Sequence, residues 1–220
     1  MERVHRYVDL SLPIYTGAPS FPGDPPCEVR LCRTINSIGY NLSQLSFGSH
    51  QGTHLDAPFH FVEAGLTVDR LALDSWIGPA HVLDFAASAP GRVLSLADFA
   101  GFDDLVRPGA RLLLRFDWDR LYPEPSYYER CPELSLEVAE WLAARQIALI
   151  GMDTPTPSLA LWKEVHLALL NAGVVIVEGL AHLDQLPSRE FLFLATPLQG
   201  GDGSPVRAVG ILDACRVDSY

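Results

Sequence analysis

The sequence predicts a strand-rich α/β domain with a few helices, and three observations carry that reading. Short apolar or alternating runs recur along the 220 residues and many end at turn residues. Two longer stretches instead place apolar residues at three- and four-residue steps, the helical period. No internal repeat or long low-complexity linker divides the chain, so residues 1–220 are expected to form a single domain.

In chain order the runs are VHRYVDL, EVRLCRT, NLSQLSF, AHVLDF, RLLLRF, IALIG, VVIVEGL, FLFLAT and RAVGIL. The first helical stretch is SLEVAEWLAAR, in which Ser135 can cap and Val138, Trp141, Leu142 and Arg145 share a face. The second is LALWKEVHLALLNAG, closed by Asn171 and Gly173. SLADFA allows one or two further turns, while FPGDPP and DTPTPS are loops. Helices precede several of the later strands, which favours a layered α/β or α+β arrangement over a pure sandwich.

Composition narrows the partners. Hydrophobic residues make up 48% of the chain, charged ones 20%, and the net charge is -11 without any Lys/Arg run, so nucleic acid is not an expected partner. Cys27, Cys32, Cys131 and Cys215 show no C-x-x-C spacing and no disulfide framework, which fits a reducing compartment. No stretch reaches the roughly 18 apolar residues of a membrane span, and MERVHRYVDLSLPIY lacks the apolar core of a signal peptide. The expectation is a cytoplasmic protein that meets neither a membrane nor nucleic acid.

Chemistry concentrates in SHQGTHLDAPFHF, where His50, His54, Asp56 and His60 fall within eleven positions. In an extended chain His50 and His54 would stand about 13 Å apart, too far to ligate one ion. The chain must therefore turn between them, and Gly52-Thr53 sits where that turn is needed. His50, His54 and Asp56 could then converge as two nitrogens and one carboxylate, while Pro58 stiffens the approach to His60. From spacing alone a metal or catalytic site competes with a polar loop. Isolated histidines such as His5 and His81 fit surface or hydrogen-bonded positions.

His166 lies four residues after Trp162 and four before Leu170, so a helix turns it inward. Glu178 ends the apolar run GVVIVEGL, where a carboxylate is costly without a cation nearby. Singly, each has a bland reading as a satisfied core histidine and a solvated strand end. Together they offer a second ligand set of nitrogen and oxygen donors, suited to zinc, manganese or iron(II), with Asp56 able to bridge two ions. His60, spare as a ligand, is a candidate proton donor and acceptor. No G-x-S-x-G elbow appears, and GGDGS lacks a phosphate-loop context and reads as a turn into the last strand.

SHQGTHLDAPFH resembles the H-x-G-T-H-x-D-x-P-x-H signature of the cyclase family, which includes bacterial kynurenine formamidases and isatin hydrolases, at every fixed position. VDLSLPIYTGAPSFPGD, IGMDTPTPS, the spacing of His166 to Glu178, and PLQGGDGSPVRAV extend the likeness over most of the chain. The resemblance implies a swivelling β/β/α fold, a homodimer or homotetramer, and a hydrolase of small-molecule amides using two divalent ions, zinc or alternatively manganese. It assigns His50, His54 and Asp56 to the first ion, Asp56, His166 and Glu178 to the second, and general acid/base work to His60. Phe21 stands where kynurenine formamidases usually carry a substrate-contacting tryptophan before P-G-D, and LALWKEVH replaces their serine-lysine run. Phe21 is thus the expected substrate contact. Three functions stay open: an aryl-formamide hydrolase, an isatin-hydrolase-like cyclic amide or lactone hydrolase, and a metal-binding protein without turnover.

Overall fold

A computed structural model describes residues 6–212; His5 and Cys215 lie outside them. The strands are β1 Arg6–Asp9, β2 Glu28–Arg33, β3 Leu42–Ser46, β4 His54–Asp56, β5 Ile77–Asp84, β6 Val93–Leu94, β7 Arg111–Arg115, β8 Glu133–Leu134, β9 Leu149–Met152, β10 Val175–Glu178, β11 Phe191–Pro197 and β12 Gly203–Leu212. The α-helices are α1 Ile35–Ile38, α2 Leu136–Ala144 and α3 Trp162–Asn171. Each of the nine runs read from the sequence contributes a strand.

The main sheet has eight strands in the order β1-β12-β11-β5-β7-β9-β10-β4, and β4 also pairs with β12. That extra pairing closes every strand but β1 into a barrel-like ring. β12 makes closure possible because it is long: its Gly203–Pro205 end pairs with β4, while its far end pairs with β1 on the same edge and with β11 on the other. Strands β5, β7, β9 and β10 run parallel, and α3 makes the crossover from β9 to β10.

The parallel strands read as continuous apolar runs because both faces are covered. Leu113, Leu149, Val175 and Val177 point into the ring interior with Phe193 and Leu55. Their neighbours Leu112, Leu114, Ile150, Met152 and Ile176 point outward to a second core shared with α2 and α3. Burying this second layer is what holds the helices on the sheet.

Ser135 caps α2 as expected, its hydroxyl accepting from the Val138 amide at 3.3 Å. α3 starts at Trp162 and not at Leu159, because the preceding amides are engaged elsewhere: Leu159 and Ala160 donate to the Glu133 carboxylate at 3.0 and 3.1 Å. SLADFA forms one 3-10 stretch at Leu96–Phe99. The β2–β3 hairpin, with α1 at its tip, stands apart from the main sheet and leaves its own side chains largely exposed.

Candidate metal and acid/base site

The His50–His60 segment bends where the sequence requires it. Gly52 adopts φ 63°, a left-handed conformation that glycine takes without strain. Thr53 fixes the bend: its hydroxyl accepts from the Leu12 amide at 2.7 Å and donates to the Gly179 carbonyl. The turn brings the His50 and His54 rings to a centroid separation of 5.0 Å, edge to face.

β4 then places its residues by register. It pairs with β10 so that His54 lies opposite Glu178, and with β12 so that Asp56 lies opposite Gly203. Pro58 opens a 3-10 turn, Pro58–His60, which carries His60 back over the cluster, its ring 3.9 Å from that of His50 and tilted by 31°. From the other side α3 supplies His166, buried as its helical position predicts.

The imidazoles of His54 and His166 are held the same way. His54 Nδ1 sits 2.9 Å from the Gly52 carbonyl, and His166 Nδ1 on the Trp162 carbonyl one turn earlier. A carbonyl only accepts, so each Nδ1 carries a hydrogen, and each Nε2 is the ring nitrogen able to offer a lone pair to a cation. Both Nε2 atoms face carboxylates, His54 at 3.2 Å from Glu178 and His166 at 3.2 Å from Glu178 and 3.6 Å from Asp56. His50 Nδ1 approaches Asp56 at 2.7 Å. Glu178 is therefore buried among imidazoles and is no solvated strand end.

Buried carboxylates normally resist ionisation, yet the surrounding imidazoles outweigh burial and hold Asp56 well below the usual carboxylate range, with Glu178 also lowered. Burial likewise disfavours charge on His50 and His166, but Asp56 with Asp202 raises the former, and Asp56 with Glu178 the latter, to about 10. His60 differs: burial dominates there and lowers its pKa, so it favours the neutral form.

The donor set fits a divalent cation. His54 Nε2 and Asp56 Oδ2 are buried without a hydrogen-bond partner, which is costly unless a cation meets them. Donor atoms of His50, His54 and Asp56 lie within 4.8 Å of one another, as do those of Asp56, His60 and His166, and of His50, His60 and Asp202. Every donor is nitrogen or oxygen, a set that does not suit a thiolate-seeking ion.

The cluster floors a cavity of about 490 Å³, within the range of small-molecule sites. Phe21, Phe61, Tyr127, Tyr128 and Trp162 line it, so Phe21 does reach the site. Its ring meets Tyr128 edge-on at 5.9 Å, and Phe61 stacks on His166 at 4.5 Å. His81, by contrast, lies on β5 beside Glu190 at 3.6 Å and takes no part. Asp202 was missed: GGDGS reads as a turn, which it is, but the turn also lays Asp202 within 2.9 Å of His50 Nε2. Only the β4–β12 pairing reveals that proximity.

Residues 8–158 match the profile described as "Putative cyclase". The chain belongs to the cyclase family. Among family relatives, the kynurenine formamidase of Paracidovorax citrulli is 33% identical over 209 residues, covering 91% of this chain and 94% of that one. The kynurenine formamidase of Bacillus cereus is 31% identical over 214 residues, covering 94% and 98%. Isatin hydrolase A from Ralstonia solanacearum superposes with a TM-score of 0.85 at 25% identity, covering 95% of this chain and 92% of that one. A "predicted metal-dependent hydrolase" from Bacillus stearothermophilus gives 0.80 at 26%, covering 95% and 99%. These cyclase-family neighbours share the strand-rich, few-helix fold, as the resemblance implies.

Proposed function

We propose that residues 1–220 form one metal-dependent amide hydrolase domain acting on an aryl formamide, of the N-formylkynurenine type. The observation that carries this reading is the matched pair His54 and His166, each with Nδ1 tied to a carbonyl and Nε2 turned toward Glu178. His50, His54 and Asp56 would hold a first divalent ion and Asp56, His166 and Glu178 a second, zinc by preference with manganese as the alternative. When bound, such ions acidify a water toward neutrality and polarise a carbonyl.

The chain's own residues do the rest. The aromatic walls, Phe21 and Tyr128 among them, take the aryl group and exclude water. His60, neutral and lining the cavity, accepts the proton released as water adds to the carbonyl carbon. It returns that proton to the nitrogen as the C–N bond breaks, giving the amine and formic acid, which ionises to formate in water. His60→Ala is expected to keep its metal and lose about 10²-fold or more in turnover. Unchanged turnover would remove His60 from this role.

A second reading, hydrolysis of a cyclic amide or lactone, is favoured by Phe21 in place of tryptophan and by the likeness to isatin hydrolase A. No lysine or arginine is found among the described residues that line the cavity, so a substrate carboxylate would meet no fixed cation there. A metal-binding protein without turnover is the third reading, and metal content measured beside a hydrolysis screen separates it from the others.

For assembly, we infer a homodimer or homotetramer. The β2–β3 hairpin exposes Leu31, Ile35, Ile38, Tyr40, Leu42 and Leu45, an apolar arm that a lone two-stranded ribbon does not stabilise in water. Cys27, Cys32 and Cys131 are free, which supports a cytoplasmic, reducing setting. Among the described residues no helix is long and apolar enough to cross a membrane.

A further inference from the structure

We propose that Asp202 is a positioning residue whose carboxylate serves His50 and His60 together, coupling a metal ligand to the proton-transfer group. This rests on the roles just proposed for those two histidines. One oxygen, Oδ2, lies 2.9 Å from His50 Nε2 and 3.4 Å from His60 Nδ1. The other, Oδ1, accepts from the Ser49 hydroxyl at 3.1 Å, so the carboxylate is anchored on the histidine segment itself.

The backbone around Asp202 is fixed just as closely. Its carbonyl accepts from the Ala57 amide at 2.9 Å, and the Gly201 carbonyl accepts from Val68 at 3.0 Å. Gly203 follows without a side chain because the His50 ring fills that space: a Cβ there would lie 2.5 Å from His50 Cε1. The turn is thus shaped around the imidazole it orients.

The arrangement has a chemical consequence. With Nε2 of His50 held on Asp202, Nδ1 is the nitrogen turned to Asp56 and the one able to offer a lone pair to an ion, the orienting role that second partners of metal-binding imidazoles play. With Nδ1 of His60 turned to the same oxygen, Nε2 remains for the substrate. The two rings lie 3.9 Å apart, tilted by 31°, and each turns one nitrogen to the same carboxylate oxygen. The Asp202 side chain is 38% exposed, so solvent screens its charge and its effect is orientation above all.

Asp202→Asn and Asp202→Glu test this in the full chain. Asp202→Asn should keep its circular dichroism, bind zinc about 10- to 100-fold more weakly at one site in a chelator competition, and lower kcat with KM little changed. Asp202→Glu should recover part of both. Long-range ¹⁵N–¹H spectra of the zinc-loaded protein should show changed tautomer populations at both His50 and His60 in Asp202→Asn. Unchanged zinc affinity and unchanged tautomers would overturn the proposal. Weaker zinc binding with kcat and the His60 signals unchanged would overturn the shared role. If the wild-type chain hydrolyses no amide while zinc affinity and both tautomers still respond, the hydrolase reading fails and the positioning role of Asp202 stands.

Discussion

The Nε2 atom of His54 lies 3.2 Å from Oε2 of Glu178, and the two residues are direct partners across the antiparallel β4–β10 pairing. The contact is thus dictated by strand register, the most rigid specification a sheet offers, and a one-residue slip of β4 would turn His54 to the face opposite Glu178. The same carboxylate reaches His166 from α3. Glu178 therefore joins the strand pair to the helix at the cluster.

Glu178→Gln should bind about one zinc ion fewer per chain. Wild-type protein should gain roughly 3–4 kcal/mol of stability when zinc is present at 100 to 1,000 times its dissociation constant. The variant should gain clearly less. Metal analysis with calorimetry checks this, and equal zinc content and equal stabilisation would argue against Glu178 as a ligand.

Much of this was legible in the sequence, for identifiable reasons. Runs such as RLLLRF and VVIVEGL announce strands because both of their faces are buried. SHQGTHLDAPFHF announces a turn because ligand geometry demands one and glycine permits it. Closure of the ring and the position of Asp202 were not legible, since both depend on β12 pairing with β4 across the length of the chain. The start of α3 was hidden too, because the amides before Trp162 are bound by Glu133, a residue distant in sequence.

Glu133 leads to the next prediction. Its buried Oε2 accepts from the Ser158 hydroxyl at 2.6 Å as well as from the Leu159 and Ala160 amides, and the Leu161 amide in turn donates to Ser158 at 3.0 Å. Glu133→Ala leaves these donors unpaired and should cost about 1–3 kcal/mol in urea unfolding. Because Leu159 and Trp162 line the cavity, KM should rise more than kcat falls. Wild-type stability in the variant would show that the anchor is dispensable.

Phe21 gives a test of the aromatic wall. Phe21→Ala removes its edge contact with Tyr128 and should raise KM for an aryl formamide about tenfold, with metal content intact. Steady-state kinetics on formanilide would show it, and an unchanged KM would place the aryl group elsewhere in the cavity.

The hairpin arm predicts assembly. Leu31 and Leu45 lie on one face of the β2–β3 pair, as neighbours of the Val29–Leu45 register position. The double variant Leu31→Asp/Leu45→Asp should shift the protein to monomers in size-exclusion chromatography with light scattering. A wild-type chain that is itself monomeric at tens of micromolar would refute the oligomer.

His81 sets a modest acid sensitivity. Burial lowers its pKa in the fold below the ordinary 6.5, and Glu190 offsets this only in part. Protonation therefore favours the unfolded chain, so the contribution of His81 is complete above pH 6.5 and is lost as pH falls through its lowered pKa. His81→Gln should flatten the wild-type loss of stability as pH falls below 6.5, read from urea midpoints in chelator. An identical slope in both proteins would show that His81 does not contribute.

On the function proposed above, this cluster hydrolyses amides only with its metal in place. The direct measurement compares turnover of N-formylkynurenine and isatin by metal-depleted protein and by the same protein reconstituted with zinc or manganese. Activity on at least one substrate that vanishes on depletion and returns with metal is the predicted result. Equal turnover with and without metal, or none on either substrate after full reconstitution, would contradict it.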